Sequence, residues 1–184
     1  MKKQIITACL YTVITAVLLG ILYPLAITGL SRLLFRDKAD GQLVQRNGEL
    51  IGSRLIGQPF TGAGYFHSRP SAAGAGYDAG NSSGSNLGPS TKTLIDRVNA
   101  STAAESNGAP VPVDLVTTSG SGLDPDLSPA AALYQVPRVA KERHIPEADL
   151  TAIVRKSVIP RQFGLLGEPR VNVLQLNLAL DQAR

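Results

Sequence analysis

Few residues in this 184-residue chain have types and spacing suited to chemistry. Gly80-Asn-Ser-Ser-Gly84 fits G-x-S-x-G, the pattern of a serine nucleophile on a sharp turn. With an aspartate from Asp114, Asp124 or Asp126 and then His144, it would complete the chain order of a hydrolase triad. That turn needs a strand before it and a helix after it, and both flanks are glycine-rich, so turn chemistry is the expected role. The alternative functions to test are a membrane-tethered serine hydrolase using Ser82 and His144, or a stand-alone anchored binding module. No G-x-x-x-x-G-K-[ST] loop occurs, and Gly62-Ala-Gly64 and Gly74-Ala-Gly76 lack the third glycine and the βαβ surroundings of a dinucleotide site. His67 and His144 lie far apart, and Asp124-Pro-Asp126 supplies two carboxylates without further ligands, so no metal site is expected.

The other candidates suit recognition. Tyr65, Phe66 and Arg69 stand together in Tyr65-Phe-His-Ser-Arg-Pro-Ser71, and arginine with aromatics anchors protein interfaces. They are expected to dock a partner or to hold the loop on the domain. Gln135 and Arg138 are three apart and share a helix face unless Pro137 breaks the turn; a polar role within the domain is their default, with Arg138 also a candidate for partner docking.

The element that governs placement is the uncharged run from Gln4 to Ser31. About 20 apolar residues cross a hydrocarbon core as a helix, because lipid offers no partner to an open backbone. Tyr11 and Tyr23 suit the interfaces, and Pro24 should bend or end the helix. Lys2 and Lys3 resemble the start of a signal peptide, but Leu22-Tyr-Pro-Leu25 is bulky where small residues mark cleavage. A retained anchor over 1–34 is therefore expected, with its amino terminus in the cytoplasm and residues 35–184 outside. Net charge is +4, mixed in sign beyond Lys2-Lys3, so nucleic acid is not an expected partner. The single Cys9 lies in the anchor and excludes an intrachain disulfide.

Beyond the anchor, Asn47-Gly48 marks a hairpin between 42–46 and 49–56. Residues 57–89 form a long glycine-rich loop, expected to order mainly in a complex. A helix should run from about 90 to 106 with Leu94, Ile95 and Val98 as its apolar stripe. Residues 112–118 read as a strand. Ser128-Pro129 opens a helix to about 143 that Pro137 breaks near Gln135. A helix after Ile145-Pro146, then a strand from 171 to about 175 passing into a helix, completes a mixed α/β (α+β) soluble domain on one transmembrane helix.

Ordered motifs along nearly the whole chain now identify a resemblance. They include Tyr23-Pro-Leu25 with Thr28-Gly29, Leu55-Ile-Gly-Gln58, Tyr65-Phe-His-Ser-Arg-Pro-Ser-Ala72, Gly84-Ser-Asn-Leu-Gly88 and Pro112-Val-Asp-Leu-Val116. Ser119-Gly-Ser-Gly-Leu-Asp124, Gln135-Val-Pro-Arg-Val-Ala140, Gly167-Glu-Pro-Arg-Val-Asn-Val173 and Leu176-Asn-Leu-Ala-Leu-Asp181 follow. Their order and spacing resemble the C-subunit family of the Kdp potassium-transporting P-type ATPases. Phe35-Arg36 stands where the family often has Phe-Pro, and Val158-Ile-Pro-Arg161 replaces a common acidic turn. The resemblance implies a non-catalytic subunit in the inner membrane, with no cofactor of its own. Its implied partners are a channel-like A subunit carrying the potassium pathway and a B subunit that hydrolyses ATP. It also implies a catalytic-chaperone role that raises the ATP affinity of the B subunit, with Gln135 as the nucleotide-associated residue. An external domain cannot touch cytoplasmic ATP, so docking at the outer face, near potassium entry, is the more direct expectation.

Overall fold

The computed structural model describes residues 1–183. They form two units, Met1–Leu43 and a domain beginning at Val44. In the first, α1 (Lys2–Val17), a π-helical turn (Leu18–Leu22) and α2 (Tyr23–Leu34) follow one another without a break. This 33-residue helix is long and apolar enough to cross a membrane, and none of its most apolar window is buried within the chain. Pro24 does not end it. The wide turn lies just before Pro24, which has no N–H for the regular ladder. The hydroxyls of Thr7, Thr15 and Thr28 donate to the carbonyls of Lys3, Tyr11 and Pro24, four residues back, at 3.0, 2.8 and 2.7 Å. Three polar groups are thereby satisfied without water. A single helical turn, α3 (Arg36–Ala39), leads to the domain.

The domain opens with the hairpin of β1 (Leu43–Arg46) and β2 (Glu49–Ser53). Asn47 and Gly48 both have positive φ, 54° and 83°, as its two-residue turn requires. The main sheet is antiparallel, in the order β3 (Asp126–Leu127), β5 (Arg170–Asn172), β4 (Val158–Ile159). Val171 on the central β5 pairs with Leu127 on one side and Val158 on the other. Helices α5 (Pro129–Tyr134), α6 (Val136–Arg143), α7 (Glu147–Lys156) and α8 (Val173–Gln182) surround a core that includes Leu127, Val139, Leu150, Val154, Val171 and Leu176. The peripheral α4 (Lys92–Glu105) contributes no buried residue.

Local chemistry sets the boundaries. Ser128 Oγ accepts from the Ala131 N–H at 3.2 Å, and Pro129 fills the first helical position. Pro137 separates α5 from α6 at Gln135, as its missing N–H dictates. Asn172 ends β5 and caps α8 by accepting from Gln175 N–H at 3.1 Å, so the final helix begins earlier than the alternating pattern indicates.

Residues 112–118 are not a strand. Val113–Leu115 make a 3₁₀ turn, the Thr117 hydroxyl folds back onto Val113 O at 2.7 Å, and Asp114 accepts from Ser128 N–H at 2.7 Å. An aspartate serving a distant backbone group from a turned segment overrides the weak alternation.

Candidate functional site

The glycine-rich segment is held to the domain by side chains from far along the sequence. Asn177 on α8 accepts from Phe66 N–H at 2.9 Å and donates to Phe66 O at 3.0 Å. One residue on, Gln135 accepts from His67 N–H at 2.7 Å and donates to His67 O at 3.2 Å. Two side-chain amides thus satisfy both backbone groups of consecutive residues, as strands on opposite edges of the segment would. Arg138 donates to the carbonyls of Ala63 and Tyr65 at 2.6 and 3.0 Å, and to Gln135 Oε1 at 2.7 Å. Arg143 donates to Gly64 O at 2.7 Å, and its guanidinium lies 4.4 Å from the centre of the Tyr65 ring. Phe66 itself is fully buried among core residues.

The anchoring continues downstream. Arg69 pairs with Asp124 at 3.0 Å. Ser71 Oγ donates to Gly122 O at 2.6 Å and accepts from Tyr77 N–H at 2.7 Å. Gly122 has φ +68°, and a Cβ there would stand 2.5 Å from Ser83 O and 2.7 Å from Ala73 N. Only glycine fits a positive-φ turn pressed this closely against another backbone. Residues 57–89 are therefore ordered by their own domain, so a partner is not required to pack them.

Of the recognition candidates, Phe66 is enclosed in the core and presents no surface. Tyr65 is half-buried under Arg143, Arg69 is engaged with Asp124, and Arg138 is partly buried against the loop carbonyls. Gln135 is 2% exposed. Its oxygen accepts two hydrogen bonds, and its nitrogen donates to His67 O and, at 3.4 Å, to Ala131 O. All its amide capacity is used inside the protein.

A cleft of about 360 Å³ opens beside Gln135, with Glu105, Tyr134, Arg138 and Lys141 in its walls. The hydrogen bond from His67 outweighs burial and, with the charge of Arg138, holds the Glu105 carboxyl below its ordinary value. Burial lowers the value of Arg138, with Glu105 opposing.

Residues that carry this arrangement without an obvious mark in the sequence are Arg143, Asn177 and Asp181. Asn177 and Asp181 interrupt an apolar helix four residues apart, the one signal available. Asp181 takes Arg143 at 2.9 Å, Arg46 at 2.8 Å and the Tyr65 hydroxyl at 3.4 Å. Burial pushes its carboxyl up, but the combined donors of Arg46, Arg143 and Tyr65 win, and its value lies below the usual one. A depressed carboxyl stabilises the folded state fully above the unfolded value, about 4, and the contribution disappears as pH falls through the folded value. Asp181→Asn should therefore cost about 2 kcal/mol at pH 7, from lost charge-assisted bonds, and much less at pH 3. Urea midpoints of both proteins at the two pH values check this. A pH-independent difference would remove the ionised pair from the explanation.

The hydrolase alternative lacks its geometry. Residues 80–84 lie in irregular chain, Ser82 Oγ donates to Ser121 O at 3.0 Å, and His144 serves as the left-handed C-cap of α6. Among the described residues, no group of three or more His, Cys, Asp or Glu side chains gathers as a metal site.

The family described as K⁺-transporting ATPase, c chain, matches residues 5–182. The chain is 60% identical to the potassium-transporting ATPase KdpC subunit of Koribacter versatilis, over 98% of this chain and 95% of that protein. It is 62% identical to the subunit of the same name from Acidobacterium capsulatum, over 96% of each. With that of Methylobacterium nodulans the identity is 58%, over 90% of each. By match length and identity alike, the chain belongs to the c-chain family of the K⁺-transporting ATPase.

Proposed function

We propose that this accessory subunit is held by one membrane span, amino terminus inside, and that its domain acts at the outer face of the pump as a docking element. The supporting observation is the 33-residue apolar helix, long enough to cross a bilayer, whose most apolar stretch has no buried partner in the chain. Phosphorylation and ATP hydrolysis would belong to the B subunit and the potassium pathway to the A subunit. Any rise in ATP affinity would then travel through contacts that differ between two states of the pump. The saturated amide of Gln135 favours a structural role in the domain over a bond to nucleotide.

The side of the membrane is the decisive test. Glu147→Cys, at an exposed position on α7 and combined with Cys9→Ser, gives one reactive thiol. In cells whose outer barrier is permeable, an impermeant maleimide should label it readily. Inverted inner-membrane vesicles should label only after lysis. The reverse pattern would place the domain in the cytoplasm and reopen direct contact with ATP.

A further inference from the structure

Between β4 and β5 the chain makes a finger whose tip is apolar and outward-facing. Phe163 is 84% exposed, Leu165 80% and Leu166 59%, the first two among the most exposed large apolar residues beyond the N-terminal helix. Its stem is fixed by a two-oxygen ion pair, Arg161 to Glu168 at 2.6 and 2.7 Å. Across its neck, Gln162 and Leu166 exchange backbone hydrogen bonds, both 2.9 Å. Phe163 and Gly164 turn the tip with φ of +54° and +75°. A left-handed backbone is uncommon for a bulky side chain, and here it holds the phenyl ring out of the domain. Polar residues would serve an ordinary solvent turn; a built turn that presents three large apolar side chains marks a surface that leaves water.

Two features select the occupant. The chain enters the domain at β1, which pairs with β2 through the Asn47-Gly48 turn. Asn172 holds the end of that hairpin by donating to Arg54 O at 2.9 Å, two residues from Arg170, where the finger rejoins the sheet. Tether entry and finger root thus share one region of the domain. Residues 35–43 between them and the apolar helix span at most about 30 Å, so any bilayer crossed by that helix stays within reach. Charge is the second feature. Arg155 and Lys156, at the end of α7 just before β4, are exposed and have no carboxylate partner among the described residues. Cations behind an apolar tip match an anionic headgroup layer above acyl chains.

We propose that the tip Phe163-Gly-Leu-Leu166 inserts into the headgroup–acyl boundary of the bilayer that holds the anchor, with Arg155 and Lys156 against anionic headgroups. The domain then has two membrane contacts, one spanning and one superficial, which limits its rotation about the tether.

The chain contains no tryptophan, so F163W supplies a unique reporter at the tip. The full chain would be reconstituted in phosphatidylethanolamine–phosphatidylglycerol vesicles whose acyl chains carry bromine near the headgroup. The expected result is blue-shifted indole emission, quenched by bromine and shielded from iodide. Leu165→Asp with Leu166→Asp should reverse both effects. Arg155→Glu with Lys156→Glu should weaken quenching in anionic vesicles and leave it unchanged in zwitterionic ones. An iodide-accessible indole without bromine quenching would overturn the proposal. So would shielding that arises only when the other pump subunits are present, which would assign the tip to a protein pocket.

Discussion

Gln135→Ala should lower the stability of the domain by about 3 kcal/mol, a fall of roughly 10 °C in its thermal midpoint. The amide joins the α5–α6 break to His67 N–H, His67 O and Arg138. Truncation strands those groups, and each buried orphan costs about 1–3 kcal/mol before any water admitted by the adjoining cleft offsets it. Gln135→Met keeps most of the volume and removes only the bonds, so it should retain most of the loss. In the assembled pump, Gln135→Ala should reduce the fraction that assembles. The ATP concentration for half-maximal hydrolysis in the surviving complexes should stay unchanged. Calorimetry of the chain and an ATP titration of the purified complex separate the possibilities. An unaltered midpoint with weakened ATP dependence would show that the side chain meets nucleotide.

A polar role for Gln135 inside the domain is legible from its place three residues before Arg138, but the groups it meets are not, and the reason lies in its bonds. Elements governed by neighbours in sequence could be read in advance: Asn47-Gly48 for the hairpin, Ser128-Pro129 for the start of α5, Pro137 for its end, the uncharged run for the long helix. Residues 57–89 have no period, because their order comes from Gln135, Arg138, Arg143 and Asn177, 68 to 111 positions away in the clamps on Phe66 and His67. A side-chain amide imitating a strand leaves no local pattern. The same cause misdirects 112–118, where alternation indicates a strand and the bond from Ser128 to Asp114 enforces a turn. The stem closed by Arg161 and Glu168 has no period to announce it, and the outward Phe163 depends on a positive φ that its residue type disfavours.

Phe66→Ala should have the largest effect on the fold, about 4 kcal/mol. The ring is wholly enclosed and sits on the residue that Asn177 grips at both backbone groups. Its loss removes the apolar contact that holds the segment in place and leaves a cavity under it, so the amide clamps must hold a chain with no side-chain anchor. A domain of this size has about 5–15 kcal/mol in total, so the change takes a large share. Phe66→Leu preserves much of the volume and should cost near 1.5 kcal/mol. Urea titration of the full chain in detergent measures both. Hydrogen exchange localises the damage: amides of Phe66, His67 and Tyr77 should lose protection first, while β5 and α8 stay slow. Tyr77 is included because its N–H depends on Ser71 and its hydroxyl on Arg69 O, downstream of the lost anchor. A cost below about 1 kcal/mol would mean that the arginine and amide bonds alone fix the segment. In that case Phe66 could leave the core to meet a partner, and the interface role suggested by its place beside Tyr65 and Arg69 would return.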